Sequence, residues 1–384
     1  MRIVLVHQSN PKDINMFSGT SHFMTNAIKE EFEEVVEYDL FEDTETYRQA
    51  HFRGVEKVLK PFGDKLNHFL RTDNIEADFI LCQGGSSCIP YYQYKIPMVL
   101  WHDSSWHTFF RGYSDSVEFA MFKFSRKNLY LWDQAVLEKA NMLFYSSDYV
   151  AEAAIKNYSI AADKVKVIPF GANIYQAPTD DLLEKALEER RSNRTLNLTF
   201  VGKDWKRKGL TIAFELTKAL NANGVNTILN IVGSDPDISE IKTSPFVVLW
   251  GFLDKAKKKE FDKLEAIYKR THFLIHPAAA EPFGISLCEA NAYGIPVIGS
   301  AVEGLKTIVS SGKNGYLFNT ACLVSEASSI IGEIVKDIGK HYPPLFRSSL
   351  NEYRTRLNWK TNVRELKRSL SDLNANRREI FLRV

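Results

Sequence analysis

The sequence has few cysteines, almost no net charge and no paired metal-ligand pattern. Its four cysteines, Cys82, Cys88, Cys288 and Cys322, show no C-x2-C spacing, so we expect reduced thiols and neither a structural zinc site nor a disulfide framework. The 49 Lys and Arg against 47 Asp and Glu leave a formal net charge of +2. This balance gives no field strong enough to indicate nucleic acid as a partner.

Long apolar runs and a dinucleotide fingerprint are also missing. No segment approaches the roughly 20 apolar residues of a membrane span, and the apolar run in Met1–His7 is too short for a signal peptide. We therefore expect a cytoplasmic protein, with peripheral contact at the inner face of a membrane as an open alternative. No G-x-G-x-x-G follows Ile3–Val6, which argues against a nicotinamide-dependent dehydrogenase.

What is present indicates two α/β domains. A chain of 384 residues exceeds what one core usually supports, and 45% hydrophobic residues are ample for two cores. Short apolar segments alternate with amphipathic ones, which predicts parallel sheets covered by helices on both faces. The predicted strands are Ile3–Val6, Val35–Tyr38, Phe79–Cys82, Met98–Trp101, Met142–Tyr145 and Val165–Ile168, then Leu198–Val201, Ile228–Val232, Val247–Trp250, Phe273–Ile275, Pro296–Ile298 and Gly315–Phe318.

The domain boundary is predicted near Ala172, which gives domains 1–172 and 173–342. Residues 171–195 contain a Pro-Thr-Asp turn and the highly charged stretch Leu182–Arg191, which we interpret as the interdomain connection. Beyond the second domain, Pro343–Leu373 has the pattern of one long charged helix.

The most informative stretch is His276–Glu289, which places Glu281 and Glu289 at E-x7-E spacing around a turn that opens a helix. Free backbone N–H groups of residues 284–286 at the helix start favour a bound phosphate or another electron-rich oxygen. Glu289 on the helix can accept two hydroxyls, as a ribose diol requires, while Glu281 on the loop reaches the other end of the ligand. If only the spacing is considered, the alternative interpretation is that both glutamates are solvent-exposed and bind no ligand.

The motif E-P-F-G-x4-E, followed by E-A-x-A-x-G-x-P-V-I over residues 281–298, resembles the retaining glycosyltransferases of family 4. The resemblance implies the GT-B fold, two Rossmann-like, doubly wound α/β domains that face each other across a cleft, with a C-terminal helix at about 343–384 crossing back to the first domain. It implies a hexosyltransferase that uses a nucleoside-diphosphate sugar, UDP- or GDP-linked, and an acceptor hydroxyl on a glycan, glycolipid or small glycoside. It also implies that domain 1–172 binds the acceptor and that domain 173–342 binds the donor. No metal or other cofactor is implied.

A cationic loop, Gly202–Gly209, follows the first strand of the second domain. Its cations suit a diphosphate, because cations placed in advance stabilise the charge that develops on the leaving group. Lys208 is the first candidate. Lys203 replaces an Arg that is common in the resembled family, and Arg207 can supply the missing bidentate fork. A solvated basic turn is the alternative.

The resemblance assigns further positions. It places His102, at a strand end of the first domain, against the donor sugar, although His7, His22 and His107 compete for this role. The D-x-D at residues 235–237 is interpreted as an ordinary turn and not as a metal site. The predicted catalytic residues are Glu281, His102 and Lys208, and the predicted donor-binding residues are Lys203, Arg207, Phe283, Gly284, Ile285, Ser286, Glu289, Gly19, Phe252 and Leu253.

Between Trp101 and Trp132, aromatic residues alternate with basic ones. This pattern is typical of an interfacial membrane contact or a lipid-linked acceptor, and also of an ordinary core. Two other functions stay open at this point: a sugar-nucleotide epimerase of similar architecture, which would turn over donor without acceptor, and a non-catalytic protein that binds nucleotide sugars.

Overall fold

The computed structural model describes residues 1–40, 54–84, 86–112 and 126–382. The chain forms two compact units: Met1–Phe170 together with Trp359–Val384, and Gly171–Asn358. Each unit has its own sheet and its own core.

The first unit contains a parallel sheet of six strands. These are β1 (Arg2–His7), β2 (Glu34–Asp39), β3 (Phe79–Gln83), β4 (Met98–His102), β5 (Met142–Tyr145) and β6 (Val165–Val167). They lie in the order β2-β1-β3-β4-β5-β6. Every residue of β3 is buried, as expected for a strand that is covered on both faces. The helices between the strands are α1 (Thr20–Glu31), α2 (Val55–Thr72), α3 (Trp106–Gly112), α4 (Arg126–Lys139) and α5 (Asp148–Tyr158).

The second unit contains another six-stranded parallel sheet. Its strands are β7 (Leu196–Val201), β8 (Thr227–Val232), β9 (Val247–Gly251), β10 (Phe273–His276), β11 (Val297–Ser300) and β12 (Gly315–Phe318). Their order, β12-β11-β10-β7-β8-β9, is the Rossmann order. The helices of this unit are α6 (Asp180–Ser192), α7 (Leu210–Ala222), α8 (Ser239–Thr243), α9 (Lys258–Arg270), α10 (Ile285–Ala292), α11 (Leu305–Ile308), α12 (Leu323–Lys336) and α13 (Ile338–Arg356).

All the predicted strands are confirmed, each within two residues at its ends. The strand order also locates the ligand-binding edge of each sheet, because ligands of open α/β sheets bind at the carboxyl ends of strands where the order reverses. In the first unit this point lies between β1 and β3, and in the second it lies between β7 and β10.

The interpretation of residues 171–195 as a connection is wrong for its charged part. Residues 180–192 form α6, which begins at the N-cap Thr179 and buries Leu183, Ala186, Leu187 and Arg190 in the second unit. These positions follow the i, i+3, i+4, i+7 spacing of a helix face. The high charge of the segment hides this face, because the guanidinium of Arg190 is one of the buried groups.

The single helix predicted over Pro343–Leu373 is also wrong. The segment contains α13, which ends at Arg356 in the second unit, and α14 (Trp359–Leu382), which belongs to the first unit. The Trp359 ring packs 5.8 Å from that of Trp101 and 5.4 Å from that of Phe170, measured between ring centroids. Among the residues that the structure describes, no helix has the length and apolar character needed to cross a bilayer.

Candidate functional site

Two loops meet at the carboxyl edge of the second sheet, one after β7 and one after β10. Gly209 allows this approach: its φ is +78°, and an added Cβ would lie 2.1 Å from the carbonyl oxygen of Pro277. The backbone N–H of Ala279 donates to the carbonyl oxygen of Arg207 at 2.9 Å. The cationic loop is therefore held against the loop that carries Glu281.

Glu281 is the centre of a charged cluster at this junction. Its Oε2 lies 3.0 Å from the Lys208 Nζ, 3.2 Å from the His276 Nε2 and 3.5 Å from an Nη of Arg207. Its backbone N–H donates to the carboxylate of Glu303 at 2.7 Å. Three of the predicted residues, Glu281, Lys208 and Arg207, are therefore brought together.

The cluster sets the protonation of its members. Burial alone would raise the pKa of Glu281, but Lys208, then His276 and Arg207, outweigh it and hold that pKa well below its ordinary value. Burial lowers the pKa of His276, although its hydrogen bond to Glu281 opposes this. A neutral His276 donates from Nε2 to the carboxylate, and its buried Nδ1 has no hydrogen-bond partner in the described part of the chain.

Glu289 has a separate set of partners. It lies on α10 and is 2% exposed. The Tyr268 hydroxyl donates to its Oε2 at 2.9 Å, and the Lys255 ammonium pairs with its Oε1. Neither Lys255 nor Tyr268 follows from the sequence motif, because they lie 34 and 21 residues away. The position of Lys255, four residues after the end of β9, is the one available signal, since strand ends carry ligand groups in such sheets.

Other predicted residues lie around these two glutamates. The Lys203 Nζ is 4.4 Å from the centroid of the Phe252 ring, so these two residues contact each other, and that ring is largely exposed. Gly284 is the N-cap of α10, with a φ of +108°, which confirms the predicted helix start. The buried hydroxyl of Ser286, in the first turn of α10, has no hydrogen-bond partner among the described residues. Phe283 and Leu253 are buried, and Ile285 is partly buried.

The first unit has its own pocket, a cavity of about 310 Å³ that lies where the strand order reverses. It is lined by Gln8 after β1, by Gln83 at the end of β3 and by His102 at the end of β4. Its aromatic lining residues are Phe17, Trp101, Trp106, Phe109, Trp132 and Phe170. Gly19, the N-cap of α1, lies beside this pocket in sequence but does not line it.

The structure separates His102 from the competing histidines. The Nδ1 of His102 lies within hydrogen-bond distance of both the carbonyl oxygen and the backbone N–H of Ser104, which leaves Nε2 for a ligand. His7 is buried, with its ring nitrogens 3.1 Å from Gln83 and 3.0 Å from Glu37. His22 contacts the Pro11 carbonyl oxygen, and neither His22 nor His107 lines the pocket.

Sequence reasoning missed Asp133, which fixes the loop after β4. Its Oδ2 accepts hydrogen bonds from the Trp106 backbone N–H and the Tyr158 hydroxyl, both at 2.6 Å. The Tyr158 oxygen also accepts from the His107 backbone N–H at 3.2 Å. Burial raises the pKa of Asp133 to about 6, although Tyr158, the Trp106 amide and His102 oppose the rise. Asp133 also lines the pocket of the first unit.

The aromatic segment shows packing within the first unit. Trp106 packs against Phe109 and Phe110, and Phe110 packs against Tyr130. Trp101 and Trp132 are buried. Five aromatic and basic residues of the segment between Trp101 and Trp132 lie outside the described residues, namely Tyr113, Phe119, Phe122, Lys123 and Phe124. The D-x-D segment carries an ordinary ion pair, with the Asp235 carboxylate 3.1 Å from the Lys242 Nζ.

One protein family matches part of this chain. The family described as Glycosyl transferases group 1 matches residues 184–341, which lie within the second unit and include both glutamates of the motif. The first unit lies outside that match.

Several individual proteins are similar to about half of this chain. A D-inositol 3-phosphate glycosyltransferase from Corynebacterium aurimucosum is 27% identical over 49% of this chain and 47% of its own length. The capsular polysaccharide biosynthesis glycosyltransferase CapM from Staphylococcus aureus is 25% identical over 49% of this chain and 51% of its own. An uncharacterised protein in the cps region of Klebsiella pneumoniae is 26% identical over 50% and 52%. The chain thus spans about half the length of the relatives that it matches.

Solved structures resemble nearly the whole chain. Sucrose-phosphate synthase from Thermosynechococcus elongatus superposes with a TM-score of 0.69 at 19% identity and covers 98% of this chain and 100% of that one. Anabaena HepE, solved with UDP and glucose, superposes with a TM-score of 0.64 at 17% identity over 97% and 99%. At these identities the likeness defines the fold, which is the two-domain α/β fold of GT-B glycosyltransferases.

Proposed function

We propose that this chain is a glycosyltransferase that moves a sugar from a nucleoside-diphosphate sugar to an acceptor hydroxyl with retained anomeric configuration and without a metal ion. The observation that carries the proposal is the buried Glu281 cluster, in which one carboxylate is held by Lys208, His276 and Arg207 at the reversal point of the second sheet. The match of residues 184–341 to group 1 glycosyltransferases supports it.

The cations of the loop after β7 suit the leaving group. Cleavage of the sugar–phosphate bond leaves its electron pair on the nucleoside diphosphate, and Lys208, Arg207 and Lys203 stabilise the added negative charge. Glu281 keeps the Lys208 ammonium in place before the donor binds, which lowers the cost of reorganisation. In this proposal Glu281 also contacts the donor sugar, and the backbone amides at the start of α10 contact the sugar or the phosphate.

Glu289 is assigned to the ribose of the donor. A carboxylate has about four lone-pair sites, so the bonds from Tyr268 and Lys255 leave one site on each oxygen for the two ribose hydroxyls. The exposed ring of Phe252 and the neighbouring Leu253 are assigned to the nucleobase. The presence of UDP in the HepE structures supports a pyrimidine nucleotide, and GDP stays the second candidate.

Transfer with retention needs no protein base in this proposal. The leaving phosphate oxygen takes the proton of the acceptor hydroxyl as the new glycosidic bond forms. His102 hydrogen-bonds a sugar hydroxyl through Nε2. An epimerase and a non-catalytic binding protein are not favoured, because the relatives of known class are glycosyltransferases.

We further propose that the acceptor belongs to a polysaccharide or a glycolipid, since CapM is named for capsular polysaccharide biosynthesis. Peripheral membrane contact remains a prediction of the aromatic and basic segment after Trp101. Flotation with anionic vesicles tests it, and absence of the protein from the vesicle fraction would reject it.

The donor site is tested by thermal unfolding with UDP, GDP and ADP, because a ligand that binds the folded state raises the melting temperature. We expect one diphosphate to raise it, and we expect Glu289→Gln and Lys208→Ala to reduce that rise. Lys206→Ala, an exposed cation of the same loop, is the control and should behave as wild type. No rise with any diphosphate would contradict the proposal.

A further inference from the structure

The pocket of the first unit has a rigid aromatic wall. Trp101 lines the pocket and is buried, and its indole N–H donates to the Ile168 carbonyl oxygen at 3.0 Å. Trp106 and Phe109 line one side, with their ring centroids 5.4 Å apart at nearly perpendicular planes. Rings fixed in this way offer flat apolar surface without losing much side-chain freedom on binding.

One of the aromatic residues that line the pocket has a strained backbone. Phe17 has a φ of +47° and Ser18 a φ of +58°, a conformation that bulky residues rarely adopt. The ring of Phe17 nevertheless lines the pocket while the residue is 57% exposed. Strain of this kind is kept mainly at ligand-binding sites. The strained backbone at Phe17 therefore indicates that this pocket is a ligand-binding site.

The charged groups of the pocket are acidic. Apart from His102, the titratable side chains among the described lining residues are Asp103 and Asp133. The Oδ2 of Asp133 accepts two hydrogen bonds from within the protein, so its Oδ1 can accept a hydrogen bond from a ligand. Carboxylates accept hydrogen bonds from hydroxyls and repel phosphates at close range.

We propose that this pocket binds the acceptor as an uncharged sugar ring, whose apolar face stacks on the aromatic wall and whose hydroxyls donate to Asp103 and Asp133. This inference rests on the proposed function and narrows its acceptor class. A phosphorylated acceptor, such as the inositol 3-phosphate in the name of the corynebacterial relative, would place its phosphate beside two carboxylates. The cavity, about 310 Å³, is at the small end of ligand pockets, which suits one sugar unit at a chain end.

The test is saturation-transfer NMR on the full chain, with matched pairs of neutral and phosphorylated probes and with UDP in separate samples. The pairs are glucose and glucose 6-phosphate, mannose and mannose 6-phosphate, and myo-inositol and inositol 3-phosphate. We expect signal from at least one neutral sugar and at least tenfold weaker binding of its phosphorylated partner. Phe17→Ala should weaken the neutral sugar about tenfold through the lost ring contact.

Two controls keep the outcomes distinct. Leu131→Ala removes a similarly exposed apolar residue, 52% exposed, that does not line the pocket and should leave binding unchanged. Asp103→Lys should favour the phosphorylated partner. A phosphorylated sugar that binds wild type as well as its neutral partner, or no signal from either class, would overturn the inference. UDP binding tests the proposed function separately. If a neutral sugar binds but UDP gives no signal, the proposed function is rejected and the sugar-binding pocket is not.

Discussion

In both units the candidate site lies where the strand order of the sheet reverses. The side chains differ, because the site of the second unit is a charged cluster and that of the first is an aromatic pocket with carboxylates. In the second unit, the reversal point between β7 and β10 holds Glu281 among Lys208, Arg207 and His276. In the first unit, the reversal point between β1 and β3 opens into an aromatic pocket with carboxylates. Strand order therefore determines where a ligand binds, and the loop side chains determine which ligand it is.

Removal of Lys208, the cation nearest to Glu281, should produce the largest loss of activity. Lys208→Ala deprives the transition state of a cation and leaves the buried carboxylate of Glu281 with weaker partners, so its pKa should rise. We expect kcat/KM to fall about 10²–10³-fold, which is typical for the loss of one group that stabilises developing charge. Steady-state kinetics with the donor identified by thermal unfolding measure it.

The control for this change lies two residues away. Lys206 is exposed in the same loop and contacts the ring of Trp205. Lys206→Ala should keep kcat/KM within about twofold, as expected for a surface substitution. Equal losses in the two variants would mean that the overall charge of the loop matters and that the Glu281 cluster does not.

The sequence predicted the strands and the motif because both are local. A buried parallel strand is a short apolar run, and E-P-F-G-x4-E lies within nine consecutive residues. The partners of Glu289 and the role of Asp133 were not predicted, since each depends on elements brought together by folding. The burial of Arg190 was hidden for the same reason: its guanidinium is satisfied by carbonyl oxygens of Tyr268, Lys269 and Tyr293, which are distant in sequence.

Asp133 provides an intermediate effect that concerns the first unit alone. Its pKa, raised by burial to about 6, means that the folded state binds a proton more tightly than the unfolded chain, whose ordinary value is 3.8. Its contribution to stability is thus fully present below about pH 4 and is lost as the pH rises through 6. We expect wild type to lose on the order of 2 kcal/mol relative to Asp133→Asn between pH 4 and pH 7.5.

Denaturant unfolding of both proteins at several pH values measures this difference. The amide oxygen of the variant can still accept from the Trp106 N–H and the Tyr158 hydroxyl, so the comparison isolates the charge. Asp163→Asn, at an exposed carboxylate of the same unit, is the control and should show little pH-dependent difference. A difference that stays constant with pH would show that Asp133 is not desolvated in the folded protein.

The smallest predicted effect distinguishes the two glutamates of the second unit. Tyr268→Phe removes the hydroxyl that donates to Glu289 but keeps the ring, which stacks on Tyr293 with centroids 5.3 Å apart. We expect nucleotide binding to weaken about threefold to tenfold, the usual net contribution of one hydrogen bond, because Tyr268 acts only by positioning Glu289, and we expect kcat to be nearly unchanged. Isothermal titration with the nucleotide measures the dissociation constant.

Tyr293→Phe is the matched control for this hydroxyl. It removes a neighbouring hydroxyl that donates to Glu265 at 2.7 Å and leaves Glu289 untouched. If Glu289 positions the ribose, only Tyr268→Phe should weaken nucleotide binding. The two variants should lose similar amounts of folding stability. Equal nucleotide affinity in both variants would mean that the Lys255 ion pair alone positions the Glu289 carboxylate. The Glu281 and Glu289 sites would then differ only in the cations that hold each carboxylate.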